Sequence, residues 1–397
     1  MKSSFFQFSS FVNVIVLIFL ILPVAFIYPQ QTKNSTVRAI DVSGFYDSAH
    51  HWKDITDHEQ FIVMLPNQKR YKPSQVKEIA DNILLYQQKN GGFPKNYDMQ
   101  AILTPEQKKI LKEGRDSLRT TFDNGATHSQ VEYLAQAYAM LKDKRYADAA
   151  LRGIHFMLEA QYPNGGFPQF YPDTSRYRKY ITFNDNAMIG VMTVFHHIVQ
   201  NNPNYSFVDA ATREKVQKAF DKGIDCILNC QIVENGKTTV WCQQHDEFNF
   251  KPRGARTFEL PSKCGDESAG IVLFLMSINH PDKQIINSVK NAVEWFKESE
   301  LHGIREETIK APKIVFKYRT SKTDRIVVKD PKAPPVWARF YTLKTNKPFF
   351  CDRNGIAVYS LSKIGRERRD GYTWYNYEPQ KVLDAYPAWL KQIASSN

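Results

Sequence analysis

From Val76 onward, apolar residues recur at steps of three and four: Val76, Ile79, Ile83 and Leu84, then Val131, Leu134, Ala135, Tyr138 and Leu141, then Ile286, Val289, Val293 and Phe296. This spacing puts one apolar stripe on each segment and predicts amphipathic helices. Residues 213–230 and 382–393 read the same way, so the chain is mainly α. The rhythm breaks at 303–335. There Ile314 to Tyr318 and Arg325 to Val328 are β-branched runs around a polar turn, which predicts a small β-hairpin.

The helical segments are punctuated by an internal echo. Gln87-x-x-Asn90-Gly91-Gly92-Phe93-Pro94 returns as Gln161-x-x-Asn164-Gly165-Gly166-Phe167-Pro168, each time directly after a helical segment. A second echo pairs Thr121-Phe122-Asp123-Asn124 with Thr182-Phe183-Asn184-Asp185-Asn186, each directly before one. Helix, Gly-rich turn, polar loop and helix therefore repeat, and such units bury their apolar faces by stacking into a layered or toroidal helical array. The Gly-rich turn reads first as structural, with glycine in the left-handed cap and Phe-Pro closing the turn on the core.

The N-terminus has another pattern. Lys2 and a Ser pair precede an unbroken apolar run from Val14 to Leu22 closed by Pro23, the form of a secretory signal. The run is shorter than the ~20 residues of a spanning helix, although Phe11 to Ile27 keeps an uncleaved anchor as the alternative. The expected organisation is a signal at 1–28, an N-terminal arm at 29–70 carrying His50-His51-Trp52 and Asp54, and one main domain at 71–397. Such a protein is secreted or periplasmic, with no other membrane contact. Five cysteines, Cys226, Cys230, Cys242, Cys264 and Cys351, are an odd number and complete no zinc spacing, so they read as buried small hydrophobes.

Composition narrows the partner. With 42% hydrophobic and 13% aromatic residues the chain folds around a sizeable core, and a net charge of +12 predicts an anionic partner. Nucleic acid is set aside because no helix-turn-helix, zinc-finger or RNA-binding signature is present. Anionic lipid and acidic polysaccharide stay open on charge alone.

Three constellations carry candidate chemistry. Asp123-Asn124 and Asn184-Asp185-Asn186 read structurally as helix N-caps. Yet Ser129-x-x-Glu132 offers a capping box nearer the helical stripe, which leaves spare carboxylate and amide oxygens suited to a hard cation such as Ca²⁺. The aperiodic stretch from Trp241 to Arg256 places His245 beside Asp246 in a loop without any nucleophile motif, so neutral hydrogen bonding fits better than a triad. Arg339 and Arg353 lie among aromatic residues, where a guanidinium fork matches a carboxylate and rings stack on sugar faces.

On these motifs the chain resembles the pectate lyases of polysaccharide lyase family ten. The similarity runs from about Ser48 to Tyr375 through both Asn-Gly-Gly-Phe-Pro turns, Thr121 to His128, Phe183 to Met188, the Gln-His-Asp to Ala-Arg segment, Trp337 to Tyr341 and Arg353-Asn354-Gly355. The resemblance implies a mainly α fold, an (α/α)₃ toroid-like helical barrel with the hairpin as an extension. It also implies that 71–397 is a catalytic domain, monomeric, whose groove binds polygalacturonate, an acidic polysaccharide, and cleaves it by β-elimination with Ca²⁺ as cofactor. Carried over by motif, Asp123, Asn124 and Asp185 are the metal set and Arg256 the Brønsted base. Arg339 and Arg353 are the substrate-carboxylate clamps, and His245, Asp246 and Tyr341 are further candidate substrate-binding residues beside them. The family's Ala-Arg motif has Tyr where this chain has Phe258. An arginine base is costly, roughly 8 kcal/mol at pH 7 and roughly 4 kcal/mol at pH 10, because a guanidinium holds its proton far above neutrality, unless neighbouring cations such as Ca²⁺ and Arg253 lower its pKa. Two other classes remain: a glycoside hydrolase using Asp246 and Glu259, and a non-catalytic anionic-glycan binding protein.

Overall fold

The computed structural model describes residues 39–54 and 60–395, so the expected signal lies outside the described residues. Among the described residues, no helix is long and apolar enough to cross a membrane. The polar arm contributes α1 (Tyr46–Asp54), followed by α2 (Val76–Tyr86) and α3 (Pro105–Glu113). Six helices then run as three hairpins: α4 (His128–Leu141) with α5 (Lys144–Ala160), α6 (Ala187–Val199) with α7 (Ala210–Cys230), and α8 (Gly265–Met276) with α9 (Lys283–Glu298). The short α10 (Arg366–Asp370) and the long α11 (Glu378–Ser395) follow.

α4, α6 and α8 pack in an inner row flanked by α2 and α11, while α5, α7 and α9 form an outer row. Side-chain pattern explains the division. α6 is apolar almost all round and buries Met188, Val191, Met192, Val194 and Phe195, whereas α5 and α9 each keep a polar face to solvent. Burying one such side chain stabilises the fold by about 2 kcal/mol, so rows of them hold the layers together.

The repeated turns bind the rows lengthwise. Gln87 Nε2 donates to the carbonyls of Gly91 and Ala149, and Gln161 Nε2 to those of Gly165 and Ala219. A third member, hidden in the sequence because no Gly-Gly follows it, is Gln231, which donates to Thr239 and Ser288. Each glutamine thus ties the end of one helix to the next helix of the outer row. The glycines are required by a close approach: at φ +93°, a Cβ on Gly91 would lie 2.4 Å from the Arg152 carbonyl oxygen.

The helix starts differ between the rows. Asp143, Asp209 and Asp282 cap α5, α7 and α9 by accepting from the backbone amides of Arg145, Thr212 and Ile285. The residues preceding α4, α6 and α8 make no side-chain cap. The expected capping box at Ser129 and Glu132 does not form. α4 starts two residues earlier than that box requires, with Thr127 at the N-cap position, Ser129 Oγ donates to the Gly125 carbonyl, and Glu132 pairs with His197 across to α6.

The predicted hairpin is present but larger. Ile304–Val315 pairs antiparallel with Thr320–Lys329, with an irregularity between Lys310 and Ile314. Phe316 to Arg319 form the turn, not a strand, because Phe316 N–H donates to the Arg319 carbonyl and reverses the chain there. Asp370 of α10 anchors the tip by accepting from Arg319, Ser321 and Thr323. Beside it, Lys263–Cys264, Phe340–Tyr341, Pro348–Cys351 and Ala357–Val358 form a small antiparallel sheet over a second core of Phe258, Phe340, Phe349, Phe350 and Trp374. All five cysteines are buried and free of disulfides.

Candidate active site

The segments leading into α4 and α6 line a groove of about 890 Å³, and a smaller pocket of about 370 Å³ beside it shares Asp185 and Arg339 and adds Asp266 and Glu267 of α8. Two equivalent single-turn helices, Asp123–Gly125 and Asn184–Asn186, pack against each other here. In each the middle residue is left-handed, Asn124 at φ 51°, ψ 38° and Asp185 at φ 51°, ψ 33°. Asn and Asp tolerate that region best among residues with a Cβ. The geometry rotates the side chains away from the helix ends that they would otherwise cap.

Asp123 accepts from Lys95 Nζ at 2.6 Å on Oδ2 and from Gln169 Nε2 at 2.8 Å on Oδ1. Burial alone would raise its pKa, but the Lys95 charge and these bonds outweigh burial and hold the carboxyl well below the usual range. Asp185 goes the other way: burial, then the facing Asp123 carboxylate, push it well above the usual range. Asn124 donates its amide to Asn96 Oδ1 at 2.7 Å. Two facing carboxylates that cannot both ionise, with an amide beside them, fit a hard cation. Among the described residues, no three His, Cys, Asp or Glu side chains cluster to hold a metal, so a cation here would need amide oxygens as well.

Arginines and aromatic rings make up the rest of the groove. Arg339 is buried, donates through Nη2 to Glu267 at 2.6 Å and to Asn184 Oδ1 at 3.0 Å, and lies 4.6 Å from the Tyr372 ring. Arg256 forms a two-point pair with Glu259, and Tyr372 Oη donates to the same carboxylate at 2.9 Å. Burial would lower the Arg256 pKa, but Glu259 overrides it and drives the value well above the ordinary one. Arg253 does not lower it as expected, because Arg253 pairs instead with Asp246. Arg353 is half-exposed and shares Glu367 with Arg368. Phe258 lies under the guanidiniums of Arg256, Arg353 and Arg368, and Tyr372 packs edge-on against it, so the hydroxyl of this corner comes from Tyr372.

Three of the expected substrate-binding residues, His245, Asp246 and Tyr341, do not line the groove. His245 is fully buried: Nδ1–H donates to the Phe250 carbonyl at 2.7 Å and Nε2 accepts from Cys242 N–H at 3.0 Å. Burial pulls its pKa down to about 4, so it stays neutral. Asp246 closes its own turn through the amides of Phe248 and Asn249, and Tyr341 Oη is occupied inside the core by Ser299 O and Ala338 N. Tertiary packing brings in Lys95, Gln169 and Tyr372, none of which the sequence motifs singled out as site residues, and Glu259, which the sequence offered only as a hydrolase carboxylate. The signal for the first two was present in the echo, since they are the residues following the two Phe-Pro pairs.

The family model described as pectic acid lyase matches residues 87–383, and the chain belongs to that family, whose members are pectate lyases. Two solved structures are similar in sequence and fold: a family 10 polysaccharide lyase from Cellvibrio cellulosa and a mutant of that family 10 lyase in complex with trigalaturonic acid. The mutant complex is 28% identical with a TM-score of 0.66, covering 88% of this chain and 99% of its own. The other has the same identity and TM-score and covers 89% of this chain. Among curated proteins none matches.

Proposed function

We propose that the chain cleaves polygalacturonate by calcium-dependent β-elimination, leaving 4,5-unsaturated oligogalacturonates. The observation that carries the reading is the meeting of the two left-handed turns, which sets Asp123 against Asp185 in a groove lined by Arg256, Arg339 and Arg353. Asp123, Asn124 and Asp185 would hold the cation. Bound Ca²⁺ supplies the charge that acidifies the proton α to a uronate carboxylate and neutralises the enolate-like anion. Arg339 and Arg353 offer forks to the carboxylates of the sugar chain, with Phe258 and Tyr372 supporting them.

Arg256 is the base in this reading. Its pairing with Glu259 makes the neutral guanidine scarce, so turnover rises with pH throughout the range below its pKa. The hydrolase alternative on Asp246 and Glu259 loses support, because both carboxyls are held below their ordinary pKa, which leaves neither as the acid, and Asp246 does not line the groove. Closure of the helical rows into an (α/α)₃ toroid through α2 and α11, action as a monomer, and export by the N-terminal signal complete the proposal. Incubation with polygalacturonate, in calcium or in chelator, tests it: ultraviolet absorbance of the unsaturated product rises only with calcium. Reducing ends without that absorbance would mean hydrolysis, and binding without either would mean a glycan-binding protein.

A further inference from the structure

The two Gly-rich turns end differently: Phe93-Pro94 is followed by Lys95, Phe167-Pro168 by Gln169. The fold brings both residues to one carboxylate, one on each oxygen of Asp123. Lys95 is mostly buried, with its ammonium 5.1 Å from the Phe170 ring centre. Gln169 is 6% exposed, and its Oε1 is buried without a hydrogen-bond partner. Both line the groove beside Asn124 and Asp185.

Charge separates the two roles. An ammonium that already neutralises Asp123 competes with a divalent cation for the same carboxylate and repels it at short range. An amide carries no net charge, and its unpartnered carbonyl oxygen is the ligand type that hard cations take. Leaving such an oxygen buried and unsatisfied is costly, so its occurrence beside a candidate cation site calls for an occupant.

We infer that Lys95 is a resident counter-charge that limits how tightly the Asp123 and Asp185 pair takes a divalent cation, and that Gln169 Oε1 is a further oxygen ligand of that cation. The inference rests on the calcium reading of the pair. It makes the Gly-rich turns part of the cation site in addition to their structural role, each repeat supplying the residue after its proline. Lys95 holds the Asp123 carboxylate in place before the cation arrives, and Gln169 adds an oxygen once it has arrived.

Titration calorimetry with calcium chloride alone, without substrate, tests both roles by the sign of the change. Lys95→Met and Lys95→Gln should bind calcium at least tenfold more tightly than the unsubstituted chain, and Lys95→Arg should match it. Gln169→Leu should bind at least tenfold more weakly, and Gln169→Glu, which restores an oxygen, should bind as tightly or better. Props that only support the loop would weaken binding when either is replaced, so loosening in both neutral Lys95 variants, or no change at either position, overturns the inference. Absence of saturable binding by the unsubstituted chain would instead overturn the calcium reading on which it rests.

Discussion

The starts of the outer and inner helices use the same residue types for different work. Asp143, Asp209 and Asp282 stand at the N-caps of α5, α7 and α9 with extended backbones, and there the carboxylate reaches an amide of the first turn. Asp123 and Asp185 also stand just before helices, α4 and α6, yet neither caps them. A left-handed residue in each preceding turn aims the carboxylates at each other and at the groove. An aspartate before a helix is therefore a stabilising cap or a candidate ligand according to one backbone torsion.

The largest effect that would test this division is expected at Arg256, in the same groove as the inner turns. Arg256→Lys should lower turnover by about 10³-fold while oligogalacturonate binding persists, because the shorter ammonium loses the fork that aims it. Single-turnover rates should also climb from pH 7 to pH 10, and a flat profile would remove Arg256 as the base. Asp123→Ala and Asp185→Ala should each cost about 10²-fold in activity while circular dichroism keeps normal helix content. If both variants lose their helices instead, the inner aspartates are structural after all and the contrast fails.

Protonation gives the next effect. Burial holds His128, at the start of α4, and His245 each at a pKa of about 4, below the 6.5 of the unfolded chain. The unfolded state therefore binds these protons more tightly, so their contribution is complete above pH 6.5 and is lost as pH falls toward 4. The loss is on the order of 3 kcal/mol per histidine, and urea melts of the wild type and His245→Asn at pH 7 and pH 5 should show a smaller drop in the variant. Arg339→Lys should weaken oligogalacturonate binding about tenfold by calorimetry, since one ammonium cannot reproduce a fork shared with Glu267 and Asn184. Smallest is Asp209→Ala, expected to cost about 1 kcal/mol of stability with kcat/KM unchanged, which a thermal melt and a rate assay would check together.

Much of the site was legible because its residues recur. The Thr-Phe-Asp-Asn and Thr-Phe-Asn-Asp-Asn echo marked both inner turns, but the expected glycine helix caps do not form: α2 and α5 end on extended Gln87 and Gln161, whose side chains make the tie, and the left-handed glycines Gly91 and Gly165 lie beyond them in the turn. Gln231 was not legible, because its partners are the carbonyls of Thr239 and Ser288 and no glycine pair accompanies it. His245 and Asp246 stand in an aperiodic loop and Tyr341 in an aromatic segment, and nothing local to either stretch says where their polar atoms go. Their partners are backbone groups whose approach only the folded loop defines.

By itself the sequence determined the mainly α class, the helical segments, the hairpin and the equivalence of the Asp123-Asn124 and Asp185 loops, since periodicity and repetition are read along the chain. Only the tertiary structure decided that Lys95 and Gln169, 74 positions apart, grip one carboxylate, that Glu259 holds Arg256 protonated, and that Tyr372 supplies the hydroxyl beside Phe258. Those are charge and hydrogen-bond contacts between distant segments. Their strength depends on separation and burial, which no spacing along the chain contains.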